Sequence, residues 1–387
     1  MTLFGFLLMI GGILQFVWLQ AGWFLWGGGS CLVLLGLFAL FYWMPFSTRW
    51  GKWGWLTIHL LGFVLFFIAG GVMGAIFLAF QNPLTIPSPQ EPRYPLVFDQ
   101  PFTFSGHRGN VRYFIPEKPS NARPMRAMIL LHGAGLTGRL KYKQTIEALR
   151  KSAVKYRTIL VYPSSGQGGD MRARIWNDGE NAKTAKQYHL PNHKAWLSAL
   201  LGHLSKQMFI KKKQFFLVGH SNGGAMALAM ADHIPNRLGG IAILGSVVPP
   251  SLLEVERRRP PLPLYILHGT KDAIVPYKGL QRGQISAAPI ERALISWQKR
   301  NRCRAEPRVV NLSPLVSDDP TSIRRYHYLF CTRPLLYDKV IGGGHMPPGT
   351  KTSSTFRMFL ALFGDGSISR QLSMGDALFA FFVETSK

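Results

Sequence analysis

The chain of 387 residues is short of charge and very short of cysteine. Charged side chains make up 17% of it, against about 25% in an ordinary soluble domain. Three cysteines exclude a disulfide-dense scaffold, and no Cys-x-x-Cys pair is present to build a zinc ribbon or a thioredoxin-like redox site. His-Glu-x-x-His and Gly-Lys-Ser/Thr are both missing, which removes the commonest metalloprotease and nucleoside-triphosphatase signatures. Acid is scarcer than base, with 19 Asp+Glu against 45 Lys+Arg and a net charge of +26. The scarcity is uneven. Residues 1–82 hold Arg49 and Lys52 and no acid, so nearly all charge of both signs lies in residues 83–387. A hydrophobic content of 47% excludes a disordered chain, and no internal repeat is visible.

Residues 1–48 carry no charged side chain. As one helix they would extend about 72 Å, more than twice the ~30 Å hydrocarbon core of a bilayer. The polar break Gln20-Ala21-Gly22 therefore predicts two spans, near Leu3–Leu19 and Trp23–Met44, with Pro45 ending the second. A third apolar stretch near Trp55–Phe80 makes a transmembrane segment of about three spans over residues 1–82. Short basic loops stay cytoplasmic. Arg49 and Lys52 lie between spans two and three, so residues 83–387 are expected outside a bacterial inner membrane, on the periplasmic or extracellular side. A cleaved signal peptide is disfavoured because Met1–Gln20 has no basic start. A lipid-modified Cys31 is disfavoured because Gly28 stands where an aliphatic residue belongs.

Six prolines within residues 82–101 predict an extended spacer over residues 83–101. Beyond it, apolar runs alternate with helical patterns. Strands are expected at Val111–Ile115, Met128–Leu131, Thr158–Tyr162, Phe215–Val218, Ile241–Leu244, Leu264–Leu267, Tyr326–Phe330 and Asp338–Ile341. Helices are expected at Lys141–Ser152, Ala195–Gln207, Gly223–His233, Ile290–Arg300 and Thr352–Phe363. That alternation predicts an α/β domain over residues 102–365, with a mostly parallel sheet covered on both faces. Residues 366–387 form a C-terminal tail ending in Ala377-Leu378-Phe379-Ala380-Phe381-Phe382-Val383, read as a packing segment or, alternatively, a surface anchor.

The chemistry concentrates where Phe215-Phe216-Leu217-Val218 runs into Gly219-His220-Ser221-Asn222-Gly223 and then a small-residue helix. Gly-x-Ser-x-Gly between a strand and a helix is the form of a nucleophile elbow, whose sharp turn needs residues without bulk on either side of the serine. A serine hydroxyl needs a base, and the partners in such a fold follow in the order acid, then histidine. Asp272 ends the loop after the strand Leu264–Leu267, and His345 follows the glycine run Gly342-Gly343-Gly344. Asp232 and His268 are poorer candidates, because one lies inside the helix after the elbow and the other precedes its would-be acid. Oxyanion donors are expected from the backbone N–H of Asn222 and of Gly133 or Ala134, in the His132-Gly133 turn after an early strand. Gly133-Ala134-Gly135-Leu136-Thr137-Gly138 also matches a dinucleotide fingerprint. The following strand, however, runs into Pro163-Ser164-Ser165 and lacks the acid that reading requires.

With these residues in place, the domain resembles the esterase family of extracellular polyhydroxybutyrate depolymerases and feruloyl or acetylxylan esterases. The likeness runs from about Gly106 to Phe363. It is carried by Val111–Pro116, Leu131–Gly135, Trp176-Asn177, Gly219–Ala227, His268–Gly279 and Gly342–Gly349. The resemblance implies the α/β-hydrolase fold, a Ser221–His345–Asp272 triad, and no metal ion or organic cofactor. Cys303 and Cys331 sit where that family often has a cysteine pair. A disulfide is also what an even pair in an exported domain would form, with two buried free thiols as the alternative. Two blocks depart from the family pattern. Asn192-His193-Lys194 replaces an acidic pair before the nucleophile strand, and Met346-Pro347-Pro348 follows His345 where an aromatic residue is usual.

The expected function is that of a membrane-anchored serine carboxylesterase. The rivals are an acyltransferase with the same triad and a non-catalytic membrane-held binding module. A short Gly245–Pro261 connection leaves no room for a helical lid, which predicts an open site. The loop Ser164–Asn192 is the expected pocket wall, with Trp176 either an aromatic platform or ordinary core. Expected partners are an ester substrate and the lipid bilayer. The basic clusters Lys211–Lys213, Arg257–Arg259 and Arg300/Arg302/Arg304 are read as a solvated face or as contacts to anionic lipid or polysaccharide. Nucleic acid is not expected outside the cytoplasm.

Overall fold

The computed structural model describes residues 95–134, 149–166, 175–179, 185–186, 189–254, 259–282, 285–350, 354–362 and 364–385. The three expected spans, most of the spacer and most of the Lys141–Ser152 helix lie outside these residues. The chain divides into two units, Met1–Pro89 and Gln90–Lys387, and every described residue belongs to the second. Among the described residues, no helix is long and apolar enough to cross a membrane.

Among the described residues, ten strands form one sheet. In chain order they are β1 (Leu96–Phe104), β2 (His107–Ile115), β3 (Arg126–Leu131), β4 (Thr158–Pro163), β5 (Phe215–His220), β6 (Leu238–Leu244), β7 (Leu264–Gly269), β10 (Arg308–Asn311), β11 (Ser322–Tyr328) and β12 (Leu335–Ile341), while β8 (Leu280–Arg282) and β9 (Ile285–Ala287) make a separate small hairpin. The order across the sheet is β1-β2-β4-β3-β5-β6-β7-β12-β11-β10. From β4 to β12 neighbouring strands are parallel, and the outer strands at each side pair antiparallel. The mostly parallel sheet expected from the alternating pattern is present.

Side-chain alternation sorts the strands onto two faces. Ala127, Ile129 and Leu131, Phe215 and Leu217, Ile241 and Ile243, and Leu264 and Ile266 join one apolar cluster. Against it pack α1 (His193–Gln207), α2 (Asn222–His233) and α3 (Ile290–Arg300). Met128, Leu130, Phe216, Val218, Ala242, Leu244, Tyr265 and Leu267 face the other way. There they meet Leu149, Ala153 and α5 (Met374–Thr385), whose Leu378, Phe379, Phe381 and Phe382 are all buried. The tail is thus the second helical layer of the domain, which decides for packing over a surface anchor.

Other boundaries differ from expectation. Residues 96–101, assigned above to the spacer, are most of β1, so the sheet takes in the last part of that stretch. Pro101 is tolerated because β1 is an edge strand, where a missing N–H costs no inner ladder bond. Most β1 side chains are exposed and leave no apolar alternation to read. Leu329 and Phe330 lie beyond the end of β11 and are exposed. Cys303 and Cys331 form a disulfide closing a 28-residue separation, next to the end of α3 and of β11. Arg300 is no surface cation. It is 4% exposed, stacks over Trp297 and pairs with Asp232 at 2.8 Å, and Arg259 takes the other oxygen of the same carboxylate. Lys211–Lys213, Arg302 and Arg304 remain exposed.

Candidate active site

The parallel strands deliver their C-terminal ends to one edge of the sheet. At the end of β5 the chain turns abruptly into α2, and Ser221 takes φ 55° and ψ −122°. Positive φ is unusual for a serine and is the strain that lifts its side chain clear of both elements. The turn is possible only because its neighbours lack Cβ atoms. One on Gly219 would lie 2.1 Å from the carbonyl oxygen of Gly223, and one on Gly223 would lie 2.2 Å from that of Leu131. Ser246 Oγ lies 3.1 Å from the Ser221 carbonyl oxygen and bounds the elbow from β6.

Asp272 follows β7 and His345 follows β12, and the structure brings the two together. His345 Nδ1 and Asp272 Oδ2 are 2.9 Å apart, with His345 5% and Asp272 4% exposed. An ionised carboxylate only accepts, so Nδ1 carries the proton and Nε2 is left as the base. The other oxygen, Asp272 Oδ1, accepts the N–H groups of Val275 at 2.7 Å and Ile274 at 3.0 Å. Burial pushes the Asp272 carboxyl above its ordinary range, opposed by His268 and by those N–H donors. His268 stands 3.4 Å from Asp272 Oδ2, but its Nε2 is 2.9 Å from the Val275 carbonyl oxygen, to which it donates. Burial holds its pKa below the usual histidine value. It is a neutral support for the acid, and Asp232 is committed to Arg259 and Arg300.

Ser221 and His345 are tied through the backbone. Ser221 N–H donates to Leu244 O at 3.0 Å. At Gly245, the next residue, a Cβ would lie 2.8 Å from His345 O and 3.4 Å from His345 Nδ1. His220, the variable residue before the nucleophile, donates from Nε2 to the His345 carbonyl oxygen at 3.0 Å. Sequence reasoning missed that contact, because the motif leaves this position open.

On the opposite side, a Cβ on Gly133 would lie 3.1 Å from that of Ser221, so the predicted oxyanion turn adjoins the nucleophile. Asn222 opens α2, where the first N–H groups have no carbonyl one turn earlier to donate to. Its side chain clips the turn in place, accepting from Trp176 N–H at 2.7 Å and donating to Trp176 O at 3.2 Å. Trp176 is 1% exposed and its indole N–H donates to His132 O at 2.9 Å. The platform expectation is therefore replaced, since a buried ring offers no face to a substrate. Behind it, His193 links Ser165 O to Asn177 N–H at 2.6 and 2.8 Å. The block that departs from the family pattern thus has a local role: Asn192 caps α1 through Ala195 N–H and His193 braces the Ser165 and Trp176 segments. Among the described residues, no cluster of side chains suits a metal ion.

Comparison with known proteins places this geometry in context. Residues 116–287 match the family model of phospholipases and carboxylesterases, a stretch holding Gly133, Ser221 and Asp272. A bifunctional acetylxylan esterase/xylanase of Neocallimastix patriciarum is 24% identical over 164 residues, 42% of this chain and 22% of that protein. NocK of Nocardia uniformis subsp. tsuyamanensis, which carries an esterase name, is 27% identical over 205 residues, 48% of this chain and 55% of its own length. The chain therefore spans about half or less of the curated relatives it matches. The solved acetyl xylan esterase from Aspergillus awamori is 13% identical, with 69% of this chain and 99% of that one covered at a TM-score of 0.45. Sheet order, elbow and family match agree on one architecture: the domain has an α/β-hydrolase-like fold around a mostly parallel central sheet.

Proposed function

We propose that the domain is a serine carboxylesterase, held by its N-terminal segment at the outer side of a membrane. The observation that carries the catalytic part is the buried His345–Asp272 pair, 2.9 Å apart on two loops that meet the Ser221 elbow at one edge of the sheet. Asp272 also caps its own loop through Oδ1, but capping alone gives no reason for a buried histidine nitrogen to lie against its second oxygen. The match to the phospholipase and carboxylesterase model supports the same reading.

In this mechanism Ser221 Oγ attacks the ester carbonyl carbon while His345 Nε2 takes its proton. Asp272 fixes the imidazole tautomer and stabilises the cation that forms. The carbonyl oxygen gains charge against the N–H of Asn222 and of Gly133 or Ala134. Collapse of the tetrahedral intermediate expels the alcohol, which leaves with the proton from His345. Water then repeats the sequence on the acyl-serine.

The experiment is fluorophosphonate labelling followed by a hydrolysis panel. Acetylated xylan is included because one relative bears that activity in its name, alongside feruloyl esters, 3-hydroxybutyrate oligomers and short p-nitrophenyl esters. Labelling of the wild type that disappears in Ser221→Ala, with turnover of at least one ester, is the expected result. A wild-type protein that neither labels nor hydrolyses any of them would sink the proposal.

A further inference from the structure

After α4 (Ser354–Leu362) the chain turns back and threads between the two loops that carry the acid and the base. The Gly366 N–H donates to Lys271 O, the Ser367 N–H to Gly342 O, and the Gly344 N–H to Ser367 O, at 2.9 to 3.1 Å. The contact is close enough to explain the glycines. A Cβ on Gly344 would lie 2.5 Å from Gly366 O, and one on Gly366 would lie 2.6 Å from Gly342 O. The run before His345 is thus a packed junction and not a flexible tether.

One side chain sits at the centre of that junction. Asp365 is 8% exposed. Its Oδ1 accepts the His345 N–H at 3.0 Å and the Ala273 N–H at 3.0 Å, and its Oδ2 lies 3.1 Å from the same His345 nitrogen. Ala273 directly follows Asp272. One carboxylate therefore holds the backbone of the base and the backbone beside the acid. A buried carboxylate requires such donors, and hydrogen bonds to an ionised acceptor are the strong ones.

We propose that Asp365 is a positioning residue for the triad, setting the separation of His345 and Asp272 by clamping both loops to one carboxylate. The proposal rests on the triad reading above. The loops reach the site from β12 and β7 and also touch before the triad residues, where Gly342 N–H donates to Thr270 Oγ1 and Lys271 N–H to Gly343 O, both at 2.9 Å. Asp365, however, holds the nitrogen of the base itself and the one directly after the acid. A small misplacement of a base costs far more rate than stability, on the order of 100-fold for about 1 Å.

The test compares wild type, Asp365→Ala and Asp365→Asn for fluorophosphonate labelling rate, KM and kcat on a p-nitrophenyl ester, and cooperative thermal unfolding. Wild-type labelling establishes the triad reading independently, so its failure is distinct from failure of the clamp. Asp365→Ala should label and turn over at least roughly tenfold more slowly at unchanged KM. Asp365→Asn keeps one acceptor oxygen but turns an amide toward the His345 N–H, and should lose several-fold, between the other two. A folded Asp365→Ala protein with wild-type kcat would overturn the proposal, as would losses confined to KM. Should the alanine variant not fold, the asparagine variant decides: a several-fold loss of kcat at unchanged KM sustains the clamp, and the wild-type value overturns it.

Discussion

At the scale of single residues, three side chains from three loops are read here as one catalytic unit, and a unit has a signature. Ser221→Ala, His345→Ala and Asp272→Asn should each lower ester turnover by a factor on the order of 10⁴ or more, while the Ser221/His345 double variant should lose little beyond either single one. Steady-state kinetics on a p-nitrophenyl ester reads both points, and losses that multiply would count against the assignment. All three members of the proposed triad could be named from the sequence, because motif and chain order constrain them. Their supports were not. Asn222, His132 and Trp176 hold one another through backbone groups, and His220 reaches His345 across 125 positions of sequence, a contact that no local pattern encodes. His193 is the clearest such case and makes its own prediction. Burial lowers its pKa from 6.5 to about 4. The unfolded chain therefore binds a proton between those values that the folded chain refuses. Stability is full above about pH 6.5 and falls as pH drops toward 4, by about 3 kcal/mol from this residue alone. Urea unfolding at pH 7 and pH 4.5 should show the fall, and His193→Gln should remove most of its contribution to the slope. A slope unchanged in that variant would mean other groups produce it.

At the scale of elements, legibility followed burial. The central strands and α1 to α3 announced themselves because both faces of the sheet are covered, so their apolar runs are dense and bounded. The edge strands β1 and β10 are largely exposed, and nothing in their composition separates them from loop. In β1 the prolines pointed to a spacer, because an edge strand tolerates what a central one does not. The helix α5 is apolar on most sides, so its pattern said that it must be covered but not by what. The covering surface is the second face of the sheet, where Phe382 meets Phe216 with ring centroids 4.5 Å apart. Phe382→Ala should accordingly cost about 3–5 kcal/mol. Removing residues 373–387 should leave no cooperative transition, because loss of four large buried side chains at roughly 1.5–3 kcal/mol each approaches the whole stability of a domain. A truncated chain with a normal melting transition would refute that role for α5. The disulfide joins the ends of α3 and β11 in the same way. With a sequence separation of 28 between its cysteines it should contribute roughly 3–4 kcal/mol in the chain-entropy model, read as the difference in unfolding free energy between oxidised protein and the Cys303→Ser/Cys331→Ser variant.

At the scale of the whole molecule, the proposed placement outside a membrane rests on two separate features, the distribution of charge and one cysteine pair. All but two of the 45 cationic residues, and every acid, follow residue 82. The apolar segment before them offers only Arg49 and Lys52 to decide its orientation. A short basic loop stays in the cytoplasm and long domains translocate largely regardless of their own charge, so in the proposed topology the sign of that loop, and not the basic excess of the domain after it, sets the orientation. The disulfide is a second vote, since such bonds persist where the surroundings are oxidising and are rare in the cytosol. The two votes can be tested apart. A reporter active only outside the cytoplasm should be active when fused after Pro95 and silent when fused at Gly51. In cells producing the full chain, rapid acid quenching and alkylation should recover Cys303 and Cys331 linked in one unreduced peptide pair. Reporter activity at Gly51 with silence after Pro95, together with both thiols recovered alkylated, would place the hydrolase in the cytoplasm. A reporter active after Pro95 with free thiols would keep the topology and remove only the bond, because the orientation argument depends on the loop charges alone.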